Sequence, residues 1–167
     1  MTSPTPSSPT GTPLCSLASW SREHITAVFE SPTNQLVLHA LGNAFSRSLK
    51  ATVNGASVDF DGFARLIADM SDSECEWGRP SVDWIFTEEM PDDADHRKNG
   101  LVKGEYFIRG IFTRIPGSNE LAEIEARKEV VGRIESQSDE DGLDSRIIVR
   151  LDATVALLPV ERTKQLS

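Results

Sequence analysis

Residues 123–136, EIEARKEVVGRIES, alternate apolar and charged side chains with hardly a break. A period of two over that length demands an extended strand with one buried and one wetted face. Ile124, Ala126, Val130 and Ile134 form the apolar register, and Glu125, Arg127, Glu129, Arg133 and Glu135 the polar one. Lys128 is the exception, because it falls on the apolar side. A chain built around such a strand must supply further strands beside it and an apolar layer over one face.

The neighbours are legible. SVDWIFTEEM, GLVKGEYFIRGIFTRI and DSRIIVRLDATVALLP are rich in β-branched and aromatic residues. PDDADHRKNG, PGSN and SDEDGLD separate them with turn residues and charge, so consecutive strands are expected to be antiparallel neighbours in a meander. Strands of about 15 residues would span about 50 Å if flat, so they must bend or coil. Gly104, Gly110 and Gly132 are the candidate bend or bulge points.

Ahead of the strands the period is helical. From Trp20 onward Ile25, Val28 and Phe29 share one face, and a second segment repeats the pattern with Val37, Ala40, Leu41, Ala44 and Phe45. Ser31 before Pro32 reads as the N-cap of that second helix, whose polar face carries His39, Asn43 and Ser46. In KATVNGASVDF, Asn54 and Gly55 both tolerate positive φ and signal a short hairpin. Asp59 then caps a helix in which Phe60, Phe63, Ala64 and Ile67 form one apolar stripe.

Helices first and a long sheet second, in 167 residues with 38% hydrophobic content, imply one α+β domain with the helices on one face of the sheet. The expected organisation is a Ser/Thr/Pro-rich tail at 1–19, a single domain at 20–160 and a short polar tail at 161–167. The first 13 residues offer almost nothing to bury. Cys15 and Cys75 make a poor disulfide framework and read as free thiols. With no secretory or membrane-spanning pattern, a soluble, cytoplasmic protein is expected.

A formal charge of −9 repels phosphate backbones and anionic membranes, so neither nucleic acid nor membrane is an expected partner. His24, His39 and His96 lie far apart, without a HExxH run or paired cysteines. Asp92, Asp93, Asp95 and His96 read as a solvated loop, and SDEDG lacks the order a calcium loop requires. With no nucleophile elbow, P-loop or dinucleotide glycine run either, no metal and no cofactor is expected.

The element order, with helices, the VNG hairpin, the capped helix in DFDGF, then VDWIF and three long strands, resembles the nuclear transport factor 2-like superfamily and its SnoaL-like branch, over Trp20 to Pro159. The resemblance implies a cystatin-like cone, a strongly curved antiparallel sheet wrapped around the N-terminal helices with an internal pocket. Ketosteroid isomerase, scytalone dehydratase and SnoaL-type polyketide cyclases share that fold and act without metal or organic cofactor on small apolar molecules. Other members only bind or dimerise, so the fold leaves function open.

Within such a cone three polar residues are candidates. Tyr106 shares an apolar register with Val102, Ile108 and Phe112, so it is either an oxyanion-stabilising donor or a core tyrosine satisfied by backbone. Lys128 is either a desolvated base, electrophile or anion anchor, or a lysine that snorkels to the rim or pairs with a carboxylate. Asp83 is the natural general base if its register lines the cone. It is an outer-face ion-pair member if Trp84 and Phe86 are the core set.

Trp84, Phe63, Ile108 and Phe112 would supply the apolar walls of a substrate site. In the last strand Ile147, Val149, Leu151, Ala153, Val155 and Leu157 form the inner register, opposite Arg146, Arg150, Asp152 and Thr154. Arg109, Arg127, Arg133 and Arg150 with Glu105, Glu125 and Asp152 read as a charged outer face suited to cross-strand pairs or a homodimer contact. The SnoaL-like resemblance implies a cofactor-independent isomerase, cyclase or dehydratase acting on a small hydrophobic, polyketide- or terpenoid-like molecule of secondary metabolism. The alternative is a non-catalytic ligand-binding or dimerisation module of the same fold.

Overall fold

A computed structural model describes residues 14–71, 80–138 and 143–165. Cys75, the first 13 residues and most of the SDEDG loop lie outside them. Helix α1 spans Leu17–Glu30, with Ser16 Oγ accepting the Ser19 N–H at 3.0 Å as N-cap. Leu17 is fully buried, so the ordered domain begins before residue 20 and the expected tail is shorter than 1–19. Helix α2 spans Asn34–Ala44 and is capped by Thr33, which accepts the Leu36 N–H at 3.2 Å. The expected cap at Ser31 is therefore displaced by two residues.

Strand β1 (Phe45–Val53) follows α2 directly, so Phe45 and Ser46 are strand residues despite their helical spacing. Asn54 and Gly55 take φ of 50° and 81° and close the hairpin to β2 (Ala56–Val58). Asp59 Oδ1 accepts the Gly62 N–H at 2.8 Å and starts α3 (Phe60–Ser71). Strands β3 (Ser81–Pro91), β4 (Gly100–Arg114), β5 (Glu120–Ser136) and β6 (Arg146–Gln165) form the expected antiparallel meander. The strand backbone of β6 runs into the segment expected to be a C-terminal tail.

The sheet is six-stranded, in order β2-β1-β6-β5-β4-β3, curved and unclosed. It is mixed rather than wholly antiparallel, because β6 returns beside β1 in the parallel sense. Asn54 reinforces this junction. Its side-chain amide donates to Val155 O (3.1 Å) while its Oδ1 accepts the Val155 N–H (2.7 Å), so the hairpin tip pairs with β6 as a strand residue would.

The three helices sit on one face. Helix α1 packs on β3 and β4, and α3 on β1 and β2. Polar ties fix α1 along β3, since Glu89 Oε2 accepts the Ala18 N–H (2.8 Å), Glu30 Oε1 accepts the Val82 N–H (3.0 Å) and the Trp84 indole donates to Thr26 Oγ1 (3.0 Å). The core gathers Trp20, Val28, Phe29 and Leu41 from the helices against Val102, Tyr106, Ile108, Ala126, Val130 and Leu151 from the sheet.

Register shifts in β4, β3 and β6 decide which side chains face inward. In β4 the shift lies between Ile108 and Ile111, where Gly110 adopts φ of 81°. In β3 it lies at Ile85, and in β6 at Val149, which is skipped between Arg150 and Ile148. A single extra residue sends every later side chain to the other face. Ile148 therefore occupies the core in place of Ile147 and Val149, and Arg146 turns inward instead of joining the outer face.

Candidate functional site

Lys128 lies midway along β5, between Tyr106 on β4 and Val155 on β6. Only 4% of it is exposed, while its flanking residues Arg127 and Glu129 are open to solvent. The strand period thus fixes the facing of the lysine correctly. Its Nζ stands 4.5 Å from the centroid of the Phe29 ring of α1, and no carboxylate among the described residues pairs with it. Burial without a counter-charge pulls the ε-amine from 10.5 down to about 7. The Phe29 ring offsets part of that desolvation, by about 0.5–2 kcal/mol for a cation held over an aromatic face.

Tyr106 is 3% exposed and packed between rings, with Trp84 at 4.5 Å and Phe29 at 6.2 Å between centroids. Its phenol is pushed up by burial, so it stays protonated as a donor. No hydrogen bond to its phenol is made by the described residues. Trp84 is held in place by its bond to Thr26 and by Gly104, where an added Cβ would meet Trp84 Cζ3 at 2.9 Å. The result is an amine and a phenol side by side on the inner face, under two aromatic rings.

Asp83 does not join them. It lies on the outer face, where its Oδ2 forms an ion pair with Arg109, 2.7 Å from Nε, and its side chain is 60% exposed. Trp84 points inward and the two faces of a strand are exclusive, so the expected general base is on the wrong side of the sheet. Phe112 is also displaced, because the bulge at Gly110 gives the core position to Ile111 and leaves Phe112 half-buried. Ile108 is fully buried, one residue pair along the inner face from Tyr106. Phe63 packs edge-on to Phe45 at 5.0 Å, within the α3 side of the core.

Several other arginines pair with carboxylates on the outer face. Arg109 also pairs with Glu125 (2.9 Å), Arg127 with Glu105 and Arg133 with Asp92. His39 is exposed on α2, and His96 Nδ1 lies 2.6 Å from Asp93 in an exposed loop. Among the described residues no group of three or more His, Cys, Asp or Glu stands close enough to hold a metal ion. No helix among them is long and apolar enough to cross a membrane.

Volume alone does not choose the site. Clefts of about 310 and 490 Å3 open beside Phe86, Lys103 and Glu129 and beside the β1–β2 hairpin, and neither is lined by Lys128 or Tyr106. Inside the cone, a cavity of about 10 Å3 lies between Ser21, Trp84, Val102 and Leu151. That is room for a single water, and Ser21 Oγ, buried without a partner among the described residues, would bond it. The buried amine, not a void, marks the chemistry.

Sequence reasoning missed three contributors. Phe29 carries only a helical apolar signal, and nothing in it announces the contact with Lys128. Asn54 was legible as a turn residue but not as the clamp on Val155, the β6 partner of Lys128. Arg146, 2% exposed, donates to the carbonyls of Cys15 (2.7 Å) and Arg97 (3.1 Å) and to Asp144, and lies 5.6 Å from the Trp20 ring centroid.

No family model and no curated protein matches the sequence. Among solved structures, a type 2 hexachlorocyclohexane dehydrochlorinase (LinA) is similar with a TM-score of 0.56 at 9% identity, over 90% of this chain and 90% of that one. The LinA-type3 enzyme of Novosphingobium barchaimii LL02 gives 0.54 at 11% identity, over 90% and 92%. Another LinA structure gives 0.51 at 11%, over 90% and 91%. At such identities the likeness is one of fold. The chain has the α+β cone fold of the nuclear transport factor 2-like superfamily.

Proposed function

We propose that this protein is a cofactor-free isomerase, cyclase or dehydratase that acts on a small hydrophobic, polyketide- or terpenoid-like carbonyl compound, with Lys128 as base and Tyr106 as hydrogen-bond donor. The observation that carries this reading is the juxtaposition of a buried, carboxylate-free amine with a buried phenol under Trp84 and Phe29. An amine with a pKa of about 7 is half neutral at neutral pH, where it accepts a proton from carbon adjacent to a carbonyl. The phenol meets the enolate oxygen that develops. The aromatic rings favour an apolar substrate body.

Exchange of α-protons for deuterium in a panel of small enolisable ketones, followed by NMR, tests it. Exchange is expected to rise with pH through about 7 and to disappear in Lys128→Met. Absence of catalysed exchange across the panel would sink the reading.

A second reading, a non-catalytic binding or dimerisation module, draws on the water-sized interior cavity and on the outward Asp83. A homodimer through the outer sheet face fits either reading, and exposed Met90 and Val131 lie there. Light scattering at graded concentrations tests the dimer, and a monomer throughout would remove it. A cytoplasmic setting, with no nucleic-acid or membrane partner, belongs to the same proposal.

A further inference from the structure

We propose that Lys128 forms a covalent imine with the carbonyl carbon of a small aromatic or otherwise apolar aldehyde or ketone, with Tyr106 as the proton donor to its oxygen. This deepens the reading of the same site by naming a bond, and it fails or stands separately from proton abstraction. Nζ lies over the Phe29 ring of α1, and the cross-strand neighbours of Lys128 are Tyr106 on β4 and Val155 on β6, with the Trp84 ring of β3 tilted against Tyr106. None of these is an anion. A lysine retained to anchor a carboxylate or phosphate would need to stay charged in the empty protein, yet no acceptor among the described residues holds the ammonium. A desolvated neutral amine is instead a nucleophile, and the aromatic rings suit the apolar part of a carbonyl compound better than an anion.

The step balances without a further reactant. The amine lone pair forms the C–N bond while the C=O π pair moves to oxygen, which takes the Tyr106 proton. The nitrogen returns one proton to the tyrosinate, giving the carbinolamine. Tyr106 then protonates the hydroxyl, the C–O bond breaks, and one water leaves as the C=N bond forms. Tyr106 recovers its proton from the iminium nitrogen, so amine plus carbonyl gives imine plus water. Tyr106 lies directly opposite Lys128 in the β4–β5 register, on the same inner face.

Benzaldehyde with cyanoborohydride at pH 7 tests the proposal on the full chain, with adducts mapped by peptide mass spectrometry. Benzaldehyde has no α-proton, so labelling does not depend on the exchange reaction. One benzyl group on Lys128 is expected, formed more than about tenfold faster than on exposed Lys50 or Lys103, because an ordinary lysine is almost wholly protonated at that pH. Lys128→Met should lose that adduct and keep the slow background, and Tyr106→Phe should keep the site but slow its labelling several-fold. Chain unfolded in guanidinium should lose the preference.

Labelling spread over Lys50 and Lys103 with Lys128 untouched in the folded protein would overturn the proposal, as would an unchanged pattern in Lys128→Met. Exchange without adduct overturns the imine alone. Adduct without exchange leaves the imine standing and removes Lys128 as the base.

Discussion

On the outer face of the sheet Arg109, Arg127 and Arg133 each meet a carboxylate, whereas on the inner face Lys128, next to Arg127 in the chain, lies over the Phe29 ring with no carboxylate partner among the described residues. The same strand therefore holds charge in two regimes. Outside, the solvent-exposed pairs are screened and replaceable, worth about 0–1 kcal/mol each, while Glu105, 8% exposed, is buried beside its arginine. Inside, a single amine is desolvated with only the Phe29 ring to offset part of the cost, so the protein would be more stable with an apolar side chain there. A group that lowers stability in this way, beside a phenol of matched placement, is where acid–base or nucleophilic chemistry is to be sought.

Replacing Lys128 breaks the comparison most strongly. The folded pKa of about 7 lies below the ordinary 10.5 of the unfolded chain, so between these values the unfolded state binds more protons and stability rises with pH. Below about 7 the full penalty of a buried ammonium is present, and above 10.5 it is gone. Lys128→Met should thus gain a few kcal/mol at pH 6 in urea denaturation, with the difference shrinking through pH 10. An equal effect at both pH values would mean that the amine is not desolvated.

Arg146 offers an inner cation of the opposite kind, fully partnered. Arg146→Met leaves the carbonyls of Cys15 and Arg97 without their donor and should cost about 2–3 kcal/mol. Hydrogen exchange is expected to show the start of α1 loosened first. A smaller expected effect is Gly104→Ala, where the new Cβ presses on Trp84 Cζ3 from 2.9 Å, costing about 1–2 kcal/mol and shifting the tryptophan emission.

The smallest belongs to the outer face. Asp83→Asn weakens the contact to Arg109 and should change stability by less than about 1 kcal/mol, less still at high salt. It should leave any activity at Lys128 intact. Loss of activity in this variant would restore Asp83 to the machinery and contradict the division between faces.

How much of this was legible in the chain depends on local rules. The Asn54-Gly55 hairpin, the Asp59 cap and the alternation around Lys128 are each set by a few adjacent residues, and the structure follows them. What failed lies beyond a bulge. The period of two continues on paper through Phe112 and Ile147, but one extra residue at Gly110 or Val149 inverts the faces. The parallel pairing of β1 with β6 and the contact of Phe29 with Lys128 join residues roughly a hundred positions apart, and no local pattern encodes either. Asp83 was undecided by its own strand, since both registers there carry large apolar residues.

The central claim concerns one proton on one nitrogen. NMR titration of the Lys128 side chain, with the Lys128→Met variant to assign the signal, should give a midpoint close to 7. A midpoint near the ordinary 10.5 would mean that the amine is solvated or paired, and both the base and the nucleophile assigned to it would fall.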